Sequence, residues 1–284
     1  MKIVKMETFF VHPRWCFLKI STDAGVCGWG EPIVESRART VAEAVREQED
    51  YLIGKDPRDI ERHWQAMYRG SFYRGGPVLT SAISGIEQAL WDIKGKAAGM
   101  PAYEMLGGAV RSRIRMYTHC RASAPDQAAK AARACVERGF TAIKTGLEPP
   151  IRFVDTPAYV DRAVERIAAL REAVGRGIDI AIDFHGRSTP AMSIRLARAL
   201  EPLQPMFIEE PCLPENVDAM AQVARATSIP VATGERLFTR WGFREVLEKQ
   251  AAAILQPDAC HAGGIFEVRK IAAMAEAYYV SIAP

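Results

Sequence analysis

The sequence predicts an α/β protein: an α+β capping domain followed by a TIM-type (β/α)7β barrel that is incomplete and ends at its seventh strand. Three observations carry this reading. Ile178-Asp-Ile-Ala-Ile-Asp183, Met206-Phe-Ile-Glu-Glu-Pro211 and Ile229-Pro-Val-Ala-Thr-Gly-Glu-Arg236 each run apolar into a carboxylate. A helical stretch follows each, as expected of a buried strand and its crossover helix. Their acids are evenly spaced, 209 − 183 = 26 and 235 − 209 = 26, about the length of one strand, one helix and two loops. Lastly, the pattern changes near Arg113. Residues 1–112 read as sheet first and helices after, whereas 113–284 alternate strand and helix.

In chain order, Thr8-Phe-Phe-Val11 and Cys16-Phe-Leu-Lys-Ile-Ser21 are strand-like, Asp23-Ala-Gly25 turns, and Val26-Cys-Gly-Trp-Gly-Glu31 returns. The pattern becomes helical from Thr40 and again over 59–67. A long helix is predicted over 79–98, with Ala82, Ile86, Leu90, Ile93 and Ala97 on one face. Gly75-Gly76-Pro77 is its start signal. Beyond Arg113, strands are expected at 114–119, 140–144, 178–183, 206–209, 229–233, 252–255 and 279–283. Helices are expected near 127–138, 160–174, 190–201, 216–226, 240–249 and 265–277. That makes seven strands and six helices in roughly 170 residues, against about 250 for a whole barrel. The chain is therefore expected to be truncated at its C-terminal end, before an eighth strand.

In such a barrel, side chains at the C-terminal strand ends line the mouth. Here those are Lys144, Asp183 with His185, Glu209, Glu235 and Asp258. Parallel neighbours would set Asp183, Glu209 and Glu235 side by side. Three carboxylates do not crowd together without a cation between them, and an all-oxygen set of this kind suits Mg²⁺. The plainer alternative is three unrelated strand-end acids, solvated or ion-paired, whose equal spacing is accidental. His185 lies two residues past Asp183, so on an extended strand it would face the same mouth and could move protons there. A merely structural histidine is the competing reading. Asp258 breaks the spacing, 258 − 235 = 23. It could orient a base on the next strand or cap the helix beginning near Gly264. His119 and His261 are assigned packing or loop roles, and His12 and His63 carry no signal.

Composition narrows the partners. The chain is 49% hydrophobic and 25% charged, with formal net charge +3, ordinary for a globular protein. That balance, with no Lys/Arg run, predicts no nucleic-acid partner. No stretch reads as a signal peptide or a membrane span. Six scattered cysteines without CxxC spacing predict reduced thiols and a cytoplasmic protein.

The segment Ala82-Ile-Ser-Gly-Ile-Glu-Gln-Ala-Leu-Trp-Asp-Ile-Lys-Gly-Lys96, with the three strand-end acids, resembles the mandelate racemase/muconate lactonizing branch of the enolase superfamily. Within it, Asp183-Phe-His-Gly186, Phe207-Ile-Glu-Glu-Pro211, Gly234-Glu-Arg236 and Leu255-Gln-Pro-Asp258 resemble the galactonate dehydratases. So do Pro13-Arg-Trp15, Gly28-Trp-Gly-Glu-Pro32 and Phe72-Tyr-Arg-Gly-Gly-Pro77 in the first domain.

The resemblance implies that Mg²⁺, held by Asp183, Glu209 and Glu235, binds a substrate carboxylate and stabilises the enediolate left by α-proton removal, with a Lys or His base. It further implies that His185 protonates a departing 3-hydroxyl. Asp258 would raise the basicity of a histidine expected immediately after Ala283-Pro284, so the chain as it stands is expected to be inactive. The implied substrate is a sugar acid, D-galactonate first, with mannonate, galactarate or a non-catalytic remnant as alternatives. A homo-oligomer is implied for the full-length protein. Ile143-Lys144-Thr145-Gly146 has one lysine rather than a Lys-x-Lys pair, which speaks against cycloisomerase or epimerase activity. The segments Cys120-Arg-Ala-Ser-Ala-Pro125 and Gly146-Leu-Glu-Pro-Pro-Ile151 depart from the galactonate dehydratase pattern.

Overall fold

The computed structural model describes residues 1–284. Strands β1 (Ile3–Val11), β2 (Trp15–Thr22) and β3 (Cys27–Gly30) form an antiparallel sheet in that order. In β2, Cys16, Leu18 and Ile20 are fully buried and their neighbours are not, the period of a sheet with one face on a core. Helices α1 (Ala38–Glu47), α2 (Glu49–Leu52), α3 (Ile60–Arg69), α4 (Pro77–Ala98) and α5 (Ala102–Met105) follow. Pro77 opens α4 and Gly99, at φ 64°, closes it, the usual Pro-first, Gly-last asymmetry.

The Gly28-Trp-Gly30 segment has a packing reason. A Cβ on Gly28 would overlap the carbonyl oxygen of Ala89, and one on Gly30 that of Gly85. β3 thus rests backbone to backbone on α4. Gly30→Ala should force the two apart and destabilise the protein by about 1–3 kcal/mol, as overpacking does. Urea unfolding checks this; an unchanged midpoint would contradict it.

The second part is one parallel sheet, running in the order β10-β9-β8-β7-β6-β5-β4. Its strands are β4 (Thr118–His119), β5 (Ala142–Gly146), β6 (Asp179–Asp183), β7 (Phe207–Glu209), β8 (Val231–Thr233), β9 (Ile254–Leu255) and β10 (Ser281–Ile282). The connecting helices are α6 (Pro125–Glu137), α7 (Pro157–Val174), α8 (Pro190–Leu200), α9 (Val217–Ala226), α10 (Thr239–Glu248) and α11 (Ile265–Ala277). Prolines start α6, α7 and α8, and the side chains of Thr156, Thr189 and Asn216 cap α7, α8 and α9. Seven strands and six helices match the expectation. The sheet is a curled part-barrel, open between β4 and β10.

One expected strand is shorter. Residues 114–119 were expected to pair, yet only Thr118–His119 does. Ile114 and Met116 are exposed. Arg115 between them spends its guanidinium on Thr141 and Asp179, which ties the segment down through a side chain instead of a ladder.

Alternation sorts the barrel strands into two faces. Ile143, Ile180, Ile182, Ile208 and Val231 join the helices in the main core. Ala181, Phe207 and Ala232 form a separate small cluster on the inner face. Register places Lys144 beside Ala181 and Asp183 beside Glu209. By the two-residue period, Lys144, Asp183 and Glu209 all project into the mouth from that inner face. The two parts meet through stacked rings, with Tyr68 of α3 and Trp241 of α10 5.0 Å apart and nearly parallel at 7°. No helix is long and apolar enough to cross a membrane.

Candidate active site

Asp183 and Glu209 share a rung of the β6–β7 ladder, an offset of 26 residues, so their adjacency follows from the sequence spacing. Between β7 and β8 the offset falls to 23, with Ile208 opposite Val231. Equal spacing therefore does not put Glu235 on the same rung. It lies beyond the end of β8, past Gly234, and enters the mouth from the loop. A Cβ on Gly234 would press against the backbone of Gln256, and the residue takes φ 146°, so this close turn needs glycine.

The mouth is densely charged and largely shielded from water. Lys144 Nζ lies 2.5 Å from Glu209 Oε2 and 3.3 Å from Asp183 Oδ2. Glu209 Oε2 also accepts from Gln256 Nε2 at 3.0 Å. Burial raises the Glu209 pKa above the usual carboxylate range, and the neighbouring Asp183 charge adds to this against the pull of Lys144. Glu235 is raised by burial first, then by the charges of Glu210 and Asp183. Lys144 is raised as well: its carboxylates outweigh a burial penalty that is itself the largest single effect.

His185 reaches the mouth by another route than strand alternation. Its backbone sits at φ 58°, past the end of β6, and its N–H donates to Asp183 Oδ1 at 2.8 Å. The ring turns back so that Nδ1 is 2.9 Å from Asp183 Oδ2, while the side chain stays half exposed. An imidazole at the edge of an acidic, partly open cavity can hand a proton to a group held inside.

Asp258 lies apart from the three acids. Its Oδ1 accepts from Cys260 N at 2.6 Å, and its charged neighbours are Glu31 and His261. It does not cap α11. Glu87 of α4 does so, accepting from Ile265 N and Phe266 N. His261 pairs with Ser81 at 2.9 Å, in keeping with a loop role. His119 departs from the expectation, standing exposed on β4 opposite Lys144, on the mouth side of the open edge.

Residues 5–107 match the mandelate racemase/muconate lactonizing enzyme N-terminal domain, and residues 126–284 match the enolase C-terminal domain-like family. The chain belongs to the mandelate racemase/muconate lactonizing family of the enolase superfamily. It is 52% identical over 284 residues to the D-galactonate dehydratase of Ralstonia nicotianae, covering all of this chain and 74% of that protein. The D-galactonate dehydratase of Pectobacterium atrosepticum is 50% identical with the same coverage. Among solved structures, a member of the enolase superfamily from Salmonella Typhimurium superposes with TM-score 0.95 at 34% identity, covering 99% of this chain and 79% of that one. A mandelate racemase/muconate lactonizing enzyme-like protein from Roseovarius sp. TM1035 gives TM-score 0.95 at 38% identity, covering 100% and 78%.

For a member of this family the question is whether the mouth suits a divalent cation. No three of its His, Cys, Asp and Glu side chains are already drawn together as a ligand set. The donors fit in kind and in charge. Asp183, Glu209, Glu210 and Glu235 bring four negative charges, while Lys144 and Arg236 bring two positive ones. With all of them ionised the formal excess is two negative charges, which a divalent cation would neutralise. Buried Gln256 Oε1, in the side chain that touches Glu209, and Thr233 Oγ1 at the end of β8 also lack hydrogen-bond partners.

Sequence reading missed Glu210 and Arg236, which form a two-pronged ion pair at 3.0 and 2.6 Å behind the metal-type acids. Their own separation is again 236 − 210 = 26, so the same repeat held the signal. The clasp of Lys144 on two acids was equally unread. Seeing it requires knowing that β5 and β6 pair at an offset of 37, as in Lys144 opposite Ala181.

Proposed function

We propose that the protein is a Mg²⁺-dependent sugar-acid dehydratase that converts D-galactonate to 2-dehydro-3-deoxy-D-galactonate. The observation that carries this is the mouth itself: His185, 2.9 Å from Asp183, overhangs a pocket with two uncompensated negative charges. Relatives named D-galactonate dehydratase, 50–52% identical over the whole chain, support the substrate. Asp183, Glu209 and Glu235 would hold the metal. When bound, Mg²⁺ would supply a Lewis acid that grips the substrate carboxylate and offsets charge developing there.

The chain's own residues do the rest. Lys144 holds Asp183 and Glu209 in place from behind, and Arg236 holds Glu210. His185 donates a proton to the 3-hydroxyl as the C3–O bond breaks, so that water leaves. The C2 proton goes to a base that Asp258 orients, and the resulting enol tautomerises to the 2-oxo acid. The first 112 residues would act as capping and specificity domain over residues 113–284. The protein is read as a cytoplasmic homo-oligomer without nucleic-acid or membrane partners; its six cysteines are all unpaired.

The base is assigned to a histidine immediately after Pro284, at the end of the seventh strand, so a polypeptide limited to residues 1–284 should not turn over substrate. General-base assistance alone is worth about 10²–10⁴-fold. The function is tested by incubating the intact gene product with D-galactonate, mannonate and galactarate and measuring 2-oxo acid, beside the 1–284 fragment. Turnover of galactonate by the intact protein alone is expected. Equal turnover by the fragment would overturn the placing of the base, and a preference for mannonate or galactarate would overturn the choice of substrate.

A further inference from the structure

Outside the mouth, Glu87 on α4 is an almost wholly buried acid, 1% exposed, that the proposed reaction leaves unused. Its Oε2 accepts from Ile265 N at 2.7 Å, and its Oε1 from Phe266 N at 2.9 Å and Trp91 Nε1 at 2.7 Å. The N-cap residue of α11 is Gly264, at φ 96° and without a side chain to cap with. A Cβ there would collide with the Glu87 carboxylate. A barrel helix thus has its positive end finished by an acid from the other half of the chain.

Glu87 does not act alone. Ser81, Ser84, Glu87 and Gln88 recur at helical spacing and share one face of α4. All four reach the loop 258–264 and the helix start behind it. Ser81 Oγ pairs with His261 Nδ1 at 2.9 Å, Gln88 Nε2 donates to Ala259 O at 3.0 Å, and Ser84 Oγ accepts from Gly263 N at 2.9 Å. From α3, Trp64 Nε1 adds a bond to Gly263 O at 2.8 Å. Burial pushes Glu87 up to about 7 despite these donors and the nearby Lys270. A Ser or Asp within the loop could cap α11 without burying a charge between domains. What the remote acid adds is a fixed path for the loop, and Asp258 stands at the start of that loop with its carboxylate held by Cys260 N.

We propose that this α4 face is a template for the loop 258–264, and that Glu87 is a positioning residue that aims Asp258 at the site of proton removal. The link to proton removal rests on the dehydratase reading; the holding of the loop does not. Two measurements on the intact enzyme test it, with Glu87→Ala and the near-isosteric Glu87→Gln. Amide hydrogen exchange in 258–268 should quicken about tenfold or more in the Ala variant, with α8 unchanged, because a local opening has become easier. Dehydration kcat should fall by about 10²-fold, the cost of a displacement near 1 Å, while KM stays within about threefold. Glu87→Gln keeps one acceptor oxygen and should lie between wild type and Ala in both. It carries the test if the Ala variant does not fold. Unchanged loop exchange would overturn the template, and quickened exchange with unchanged kcat would overturn the positioning role. A wild type inert toward every sugar acid would count against the dehydratase reading, and the exchange result alone would then decide the template.

Discussion

Glu209→Gln should weaken Mg²⁺ binding by at least about 10²-fold and remove turnover with it, since even outer-shell changes at metal sites cost about 10–100-fold. Glu209 is the pivot of the mouth. It is almost wholly buried and shares a rung with Asp183. Lys144 and Gln256 both attach to its Oε2. The amide keeps the shape and removes one charge, so the excess falls from two negatives to one. Lys144 then pairs with Asp183 alone, and a divalent cation is no longer balanced. The amide also removes a carboxylate that burial already strains, so the apo protein should not lose stability. Calorimetric titration with Mg²⁺ checks the first part and urea unfolding the second. Unchanged Mg²⁺ affinity would remove Glu209 from the ligand set.

His185→Asn should lower dehydration by about 10²–10⁴-fold, the worth of a positioned proton donor, while exchange of the C2 proton with solvent deuterium survives. In the proposed reaction the two steps divide between residues: His185 would serve the leaving hydroxyl, and the base oriented by Asp258 would serve C2. Asparagine is the apt replacement because position 185 sits at φ 58°, a left-handed conformation that Asn tolerates better than most residues. The ring is half exposed and its one close side-chain partner is Asp183, so stability should change by less than about 0.5 kcal/mol. NMR of galactonate in D₂O reads both outcomes at once. Loss of C2 exchange in a variant that still binds Mg²⁺ and substrate would reverse the assignment of roles.

Much of this could be read from the residues. A strand ending in an acid is visible as an apolar run with a carboxylate at its edge, and the 26-residue repeat placed Asp183 and Glu209 side by side. The same repeat gave the right neighbourhood for Glu235 by a partly wrong route. The β7–β8 offset is 23, and the loop after Gly234 makes up the difference. His185 likewise faces Asp183 from a left-handed turn and not from an extended strand. Pattern reports which face a strand residue takes, but loop geometry depends on contacts far away in sequence. The α4 segment shows this limit most clearly. Its apolar spacing predicts a helix but carries no sign of what Ser81, Ser84, Glu87 and Gln88 bond to. Their purpose appears only when residues 259–266, about 170 to 180 positions later, lie against them.

A divalent cation held at the barrel mouth is proposed to make this protein a sugar-acid dehydratase. The most direct test is formation of 2-dehydro-3-deoxy-D-galactonate from D-galactonate by the intact protein, measured before and after metal removal by chelation and again after Mg²⁺ is restored. Turnover that vanishes with the metal, returns with Mg²⁺, and is lost in Asp183→Asn, Glu209→Gln and Glu235→Gln alike is the predicted result. Turnover that persists without metal, or in any of the three variants at the wild-type rate, would contradict the account.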